Sequence, residues 1–159
     1  MARRVYEGTV NVYWATTVVD KSAPTVSEIT AATDITCYLS KDGLAVNINT
    51  NNVDSAALCE TFDAQIPGSW GADIQLTGFR DDYDDVLWDL AVYGTTGYLI
   101  VEPYGEPDEL PAAGDQVEVY PVTMHQKAPA NSAANTQQRF MLAMPGRAQP
   151  DLDAIVATG

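Results

Sequence analysis

Gln116-Val117-Glu118-Val119-Tyr120-Pro121-Val122-Thr123-Met124 reads as a β-strand: Val117 and Val119 oppose Glu118 and Tyr120 with the two-residue period of a pleated chain. Strand signals recur outward from it. Thr95 to Glu102 is built on Tyr98, Leu99, Ile100 and Val101, and Gln138 to Met144 precedes a Pro145-Gly146 turn and a short strand near Ile155. Toward the N-terminus, Asp73 to Arg80 turns Ile74 and Leu76 inward, and Leu44, Val46 and Ile48 alternate with Ala45, Asn47 and Asn49. Ile35 to Leu39 is a further strand, ended by a Lys41-Asp42-Gly43 turn. The first strand spans Val5 to Val19, with Val10, Val12 and Trp14 on one face and Glu7, Thr9, Asn11 and Tyr13 on the other. So many strands separated by turn signals predict a mainly β fold.

Helix signals are few. Thr25 followed by Glu28 matches a capping box and predicts a short helical turn. Asp82 to Tyr93 is the clearest helix, with Asp81 or Asp82 as cap and Asp84 and Asp85 in the first turn. Tyr83, Val86, Leu87 and Leu90 make one apolar face, and Gly94 is the stop. Residues 49–71 break the alternation and read as an extended loop, with a weak strand signal from Ala56 to Phe62 and loop markers at Pro67, Gly68 and Gly71. Pro103 to Gly114 and Gln126 to Gln137 are also loops, and Met1 to Arg4 forms a short arm. The 159 residues make one domain.

Charge narrows the function. The chain carries 22 Asp and Glu against 8 Lys and Arg, a formal charge of −14. Such a surface repels polyphosphate, which argues against sequence-specific nucleic-acid binding. No signal peptide is legible, and the longest apolar run, Phe140 to Met144, is five residues, so no membrane partner is expected. Cys37 and Cys59 read as reduced core thiols, and the protein as one made in a cytoplasm.

Chemistry-bearing motifs are absent from the sequence. The single histidine, His125, has no Cys or His near it, so no metal site is expected. Asp81-Asp82-Tyr83-Asp84-Asp85 lacks the mid-loop Gly and terminal Glu of a calcium loop and reads as helix capping. Gly68-Ser69-Trp70-Gly71 is not a nucleophile elbow, and no phosphate cradle or dinucleotide fingerprint occurs. Neither an enzyme nor a cofactor is expected.

One feature resists a simple surface-helix reading. On Asp82–Tyr93, Trp88 and Val92 lie opposite the Leu87/Leu90 face, among Asp84, Asp85 and Asp89. Either another subunit covers that face or the protein's own loop does; the first is favoured, since Trp is a preferred interface anchor. Trp88 and Val92 are therefore the candidate subunit interface.

The order of elements carries a resemblance. Ala23-Pro24-Thr25-x-x-Glu28-Ile29, with Ala32-Thr33-Asp34-Ile35-Thr36 after it, precedes the long excursion, the acidic helix with Leu87, Trp88 and Leu90, and Tyr98-Leu99-Ile100-Val101. Gly114 to Pro121 and an Asn-rich loop leading to Arg139-Phe140 follow. The chain resembles the tail tube (major tail) proteins of long-tailed, non-contractile bacteriophages over nearly its whole length. That resemblance implies a β-sandwich or barrel with one flanking helix and long loops. It implies a virion protein, assembled in the host cytoplasm into stacked hexameric rings whose strands join in one lumen sheet. The implied partners are further copies of itself, the tape measure protein, and tail terminator and tip proteins, with DNA passing through unbound.

Two strand acids are then candidates for the lumen: Glu118, whose alternation with Val117 and Val119 sets it opposite the core, and Asp73, which opposes Ile74. Two other readings stay open at this point. One is a different ring-forming component, such as a secretion-tube subunit or minor tail protein; the other is a monomeric ligand-binding β-sandwich.

Overall fold

The computed structural model describes residues 8–106, 109–130 and 134–159. Met1 to Arg4 and the start of the expected first strand lie outside the described residues. The strands are β1 (Asn11–Ala15), β2 (Thr33–Asp34), β3 (Leu39–Asp54), β4 (Gln65–Phe79), β5 (Thr96–Glu102), β6 (Gln116–Thr123), β7 (Ala128–Pro129), β8 (Arg139–Pro145) and β9 (Asp151–Ile155). Helices α1 (Val26–Ala31) and α2 (Val86–Leu90) join them, with a 3-10 turn at Thr36–Tyr38.

Two sheets form. A five-stranded sheet runs β2-β1-β5-β6-β9 and a four-stranded sheet runs β3-β4-β8-β7, with the named pairings all antiparallel. Leu76, Ile74, Phe140, Leu142 and Met144 of the four-stranded sheet pack against Val12, Trp14, Leu99, Val101, Tyr120 and Val122 of the other. A second core lies on the far face of the five-stranded sheet, where Tyr13, Ile100, Val117, Val119 and Ala154 pack under Ile29 of α1 and Val156. The five-stranded sheet is thus buried on both faces and the four-stranded sheet on one.

The double burial explains one departure from the sequence reading. β1 is only five residues long and every one is buried. Its Tyr13 face, expected to be polar, meets the second core rather than water. The capping box of α1 forms as expected: Thr25 Oγ1 accepts from Glu28 N at 3.1 Å and Glu28 Oε1 accepts from Thr25 N at 3.0 Å. The expected strand at Ile35–Leu39 is instead largely the 3-10 turn.

The excursion at 49–71 is not a loop. β3 and β4 pair from Leu39↔Gly78 out to Asp54↔Gln65, forming one long hairpin closed by residues 55–64. Ala56 to Phe62 is its tip, and Pro67, Gly68 and Gly71 lie within β4. Lys41-Asp42-Gly43 is likewise no turn between strands. Between Leu39↔Gly78 and Leu44↔Leu76 the chain advances five residues on β3 but two on β4, so the segment bulges out of the ladder. Beyond Ile48 the hairpin leaves the core: residues 49–55 are all exposed.

The expected helix also shrinks, from Asp82–Tyr93 to Val86–Leu90. Its acids serve a turn instead of a cap. Asp81 Oδ1 accepts from Tyr83 N at 2.9 Å and Asp84 N at 3.3 Å, while Asp85 pairs with Arg80 Nε at 2.7 Å. Tyr83 therefore stands 98% exposed rather than on the apolar face. Cys37 and Cys59, expected in the core, are both exposed free thiols.

Packing between β1 and β5 is tight at Gly97, where an added Cβ would sit 2.5 Å from Trp14 Cζ2 and 2.8 Å from Ala15 O. We expect Gly97→Ala to destabilise by about 1–3 kcal/mol, the usual cost of overpacking. Gly71→Ala, whose Cβ meets nothing within 4 Å, should be close to neutral, with both variants read by urea titration.

Candidate functional site

The surfaces that bear on function are the two strand-edge regions, the open face of the four-stranded sheet, the α2 region and the distal hairpin. Among the described residues no group of three or more His, Cys, Asp and Glu side chains could hold a metal ion. No described helix is long and apolar enough to cross a membrane.

Trp88 is held by its own chain. Its ring meets Phe140 edge-on, with centroids 5.0 Å apart and planes at 89°. The Arg80 guanidinium lies 3.7 Å and Lys127 Nζ 4.2 Å from the ring centroid, and Lys127 Nζ donates to Trp88 O at 2.7 Å. These contacts correct the premise that Trp88 has no cover from its own chain; the ring is half-buried against the core. The helix signal failed because α2 is too short to have a fully solvated back face. Val92, beyond α2, is 58% exposed beside Tyr93 at 71%.

Glu118 needs a second correction. Its face also carries Tyr120 and Val122, which belong to the core between the sheets. Alternation identified the strand but not the core side, because Val117 and Val119 fill the second core instead. Burial pushes the Glu118 carboxyl above its ordinary range, opposed by a hydrogen bond from Tyr120 and aided by Asp153. Glu118 is half-buried, on the side of β6 that faces the other sheet.

Asp73 lies where alternation puts it, on the exposed face of the four-stranded sheet opposite Asn47 and Pro145. Asn49 Nδ2 reaches its Oδ2 at 3.5 Å. Neighbours on this face are Ala45, Asn47 and Asn49 of β3, Gln75 and Thr77 of β4, and Met141 and Ala143 of β8. The face is mostly small and uncharged, with Arg139 stacked over Phe79 at one end. The acidic excess gathers elsewhere, at Asp81–Asp85 and at the hairpin tip with Asp54, Glu60 and Asp63.

The distal hairpin is the feature that sequence reasoning missed. Val53, Ile66, Trp70, Leu58 and Phe62 are 50%, 52%, 41%, 106% and 77% exposed. Apolar side chains at this density on an unsupported hairpin indicate a contact surface. A usable signal was present: the β-branched and aromatic residues at Thr50, Val53, Ile66 and Trp70 flank a gap of hairpin length.

These features define a class: a two-sheet β protein with a long exposed strand edge and an apolar hairpin that suit self-association. The phage tail tube protein family matches residues 1–159, and the chain belongs to that family. It is a family of structural proteins rather than enzymes. Among solved structures, the chain is similar to one in the virion of a native gene transfer agent particle, with 16% identity, 96% of this chain and 100% of that one covered, and a TM-score of 0.56. It is equally similar, at 16% identity, 96% and 100% coverage and TM-score 0.56, to one in the tail of an empty gene transfer agent particle with C6 symmetry. A chain in the anti-feeding prophage baseplate aligns at 9% identity over 95% of this chain and 96% of that one, with TM-score 0.56. At these identities the likeness is one of fold. No curated protein sequence matches the chain.

Two predictions follow from this geometry. Trp88→Ala should lower the unfolding free energy of the dispersed subunit by on the order of 3 kcal/mol, read by urea titration, because it empties a ring site on the core. Glu102 gives a pH signature. It is 3% exposed, Asn11 Nδ2 reaches its Oε1 at 3.4 Å, and its Oε2 has no partner. Burial raises its carboxyl above the ordinary range. The folded state therefore holds this proton more tightly than the unfolded one, and the group's contribution to stability falls as pH rises from the unfolded to the folded value. Glu102→Gln should accordingly melt higher than wild type at neutral pH, with the gap closing as pH falls through Glu102's raised pKa toward the ordinary value. Equal gaps at both ends would contradict the assignment.

Proposed function

We propose that this chain polymerises as stacked hexameric rings into a tail tube, the conduit through which DNA leaves a virion. The observation that carries the reading is β3, a 16-residue strand at the sheet edge with its outer backbone groups unpaired by any strand among the described residues. At the other edge, residues 125–130 run along β8: His125 N donates to Ala143 O and Ala130 N to Arg139 O, both at 3.0 Å, and β7 pairs with Met141 and Phe140, so the two-residue β7 is the edge strand. Pairing β3 of one copy with the β7–β8 side of the next satisfies both edges and repeats around a ring. The sixfold order follows the C6 symmetry of the gene transfer agent tail.

In that arrangement the open face of the four-stranded sheet becomes the lumen wall. Its small, mostly uncharged side chains offer a duplex few phosphate contacts. Asp73 repeats as a ring of negative charge, effective across about 8 Å in physiological salt. Val92 and Tyr93 lie away from this wall and are available for contact between subunits. A tape measure protein fills the lumen before DNA passes, terminator and tip proteins close the ends, and assembly takes place in the host cytoplasm. The whole chain acts as one tube subunit.

Negative-stain microscopy of concentrated protein tests the reading, with and without tail initiator proteins. Rings or tubes of sixfold symmetry are the expected result; a monomer at millimolar concentration under both conditions counts against it. Asp73→Lys should leave tubes intact but slow DNA ejection, most at low salt where screening is weakest. Unchanged ejection at low ionic strength would remove Asp73 from the lumen.

A further inference from the structure

The hairpin tip is an apolar knob with an acidic collar. Leu58 and Phe62 are 106% and 77% exposed, and the same 54–64 segment carries Asp54, Glu60 and Asp63 with no Lys or Arg. A matching socket opens at the mouth of the sandwich. There Val10, Val12, Leu39 and Leu44 line a cavity of about 160 Å³, with Thr36, Ser40 and Lys41 as its polar side. An aliphatic cavity of about 150 Å³ is large enough to take a benzene ring.

Charge singles out this socket. Lys21 donates to Gln149 O, Arg80 pairs with Asp85, Lys127 donates to Trp88 O, Arg139 stacks on Phe79 and Arg147 stacks on Tyr98. Among the described residues, Lys41 is the one remaining cation, and it sits on the bulge at the cavity's mouth. The knob and the socket of one chain cannot meet. Leu44 and Asp54 are joined by continuous strand at about 3.3 Å per residue, which sets the tip on the order of 30 Å away.

We propose that Phe62 of one copy seats in the β1–β3 socket of a second copy, with Asp63 or Glu60 paired to the second copy's Lys41. This contact rests on the tube reading and specifies one of its interfaces. It also brings two exposed thiols near each other, since Cys59 lies in the knob and Cys37 follows Thr36 on the socket's rim.

Cross-linking assembled wild-type protein with a short bifunctional maleimide tests it, using a mixture of light and heavy isotope-labelled subunits. The expected product is a Cys37–Cys59 peptide joining a light chain to a heavy one, found in tubes and absent from dispersed subunits. Phe62→Ser and Lys41→Glu should each lower the assembled fraction by about tenfold or more. Adding Glu60→Lys and Asp63→Lys to Lys41→Glu should restore it. Well-formed wild-type tubes without the mixed cross-link, or Phe62→Ser tubes at wild-type yield, would overturn the docking while leaving the tube reading intact. A wild-type chain that never assembles would overturn both.

Discussion

A strand edge sixteen residues long is a demand as much as an opportunity. Each outward amide and carbonyl of β3 must find water or another strand, and proteins that stay monomeric usually shorten, bend or cover such an edge. β3 is bulged near its start, around Lys41–Gly43, and then runs on beside β4 with no strand on its far side among the described residues. The outer half of the hairpin has no core behind it either. Its stability therefore rests on ladder hydrogen bonds and a few side-chain ones, such as Asn51 Nδ2 to Ser69 Oγ at 3.0 Å, a marginal condition for a two-stranded ribbon in water. In the proposed tube, a second copy supplies what is missing in both places.

The two sheets divide the work. The five-stranded sheet, buried on both faces, fixes the subunit: Trp14, Leu99 and Tyr120 face the partner sheet while Tyr13, Ile100 and Val119 face α1. That rigid layer lets the four-stranded sheet keep one face open without losing register, since Ile74, Leu76, Leu142 and Met144 are anchored from behind. The open face is neutral apart from Asp73 and Arg139, so a net charge of −14 does not make that face strongly acidic. The acids instead collect on loops and on the hairpin tip, where they keep dispersed subunits apart and bias which surfaces meet.

Much of the fold could be read from the chain, and the failures have specific causes. Gln116–Met124, Thr95–Glu102, Asp73–Arg80 and Gln138–Met144 are strands close to where their alternation puts them. The side of each strand was less legible. Val117 and Val119 mark a core, but a sheet with two cores leaves Glu118 beside Tyr120 rather than in solvent. The Asp81–Asp85 run resembles a helix start, yet local side-chain bonds to the backbone turn the chain and delay the helix to Val86. Trp88 looked unpartnered because its partners, Phe140, Arg80 and Lys127, come from distant sequence or from outside the helix. The hairpin escaped because its distal strands have no core to impose a hydrophobic period. Asp73 was legible because its sheet has only one core.

The claim at the centre of this account is that the β3 edge is completed by another copy. Amide hydrogen exchange, followed by mass spectrometry on dispersed and assembled protein, tests it directly. The account predicts that outward amides within residues 44–54 exchange freely in the dispersed subunit and become strongly protected on assembly, while those of β5 and β6 are protected in both. Assembly into tubes with no gain of protection along residues 44–54 would contradict it.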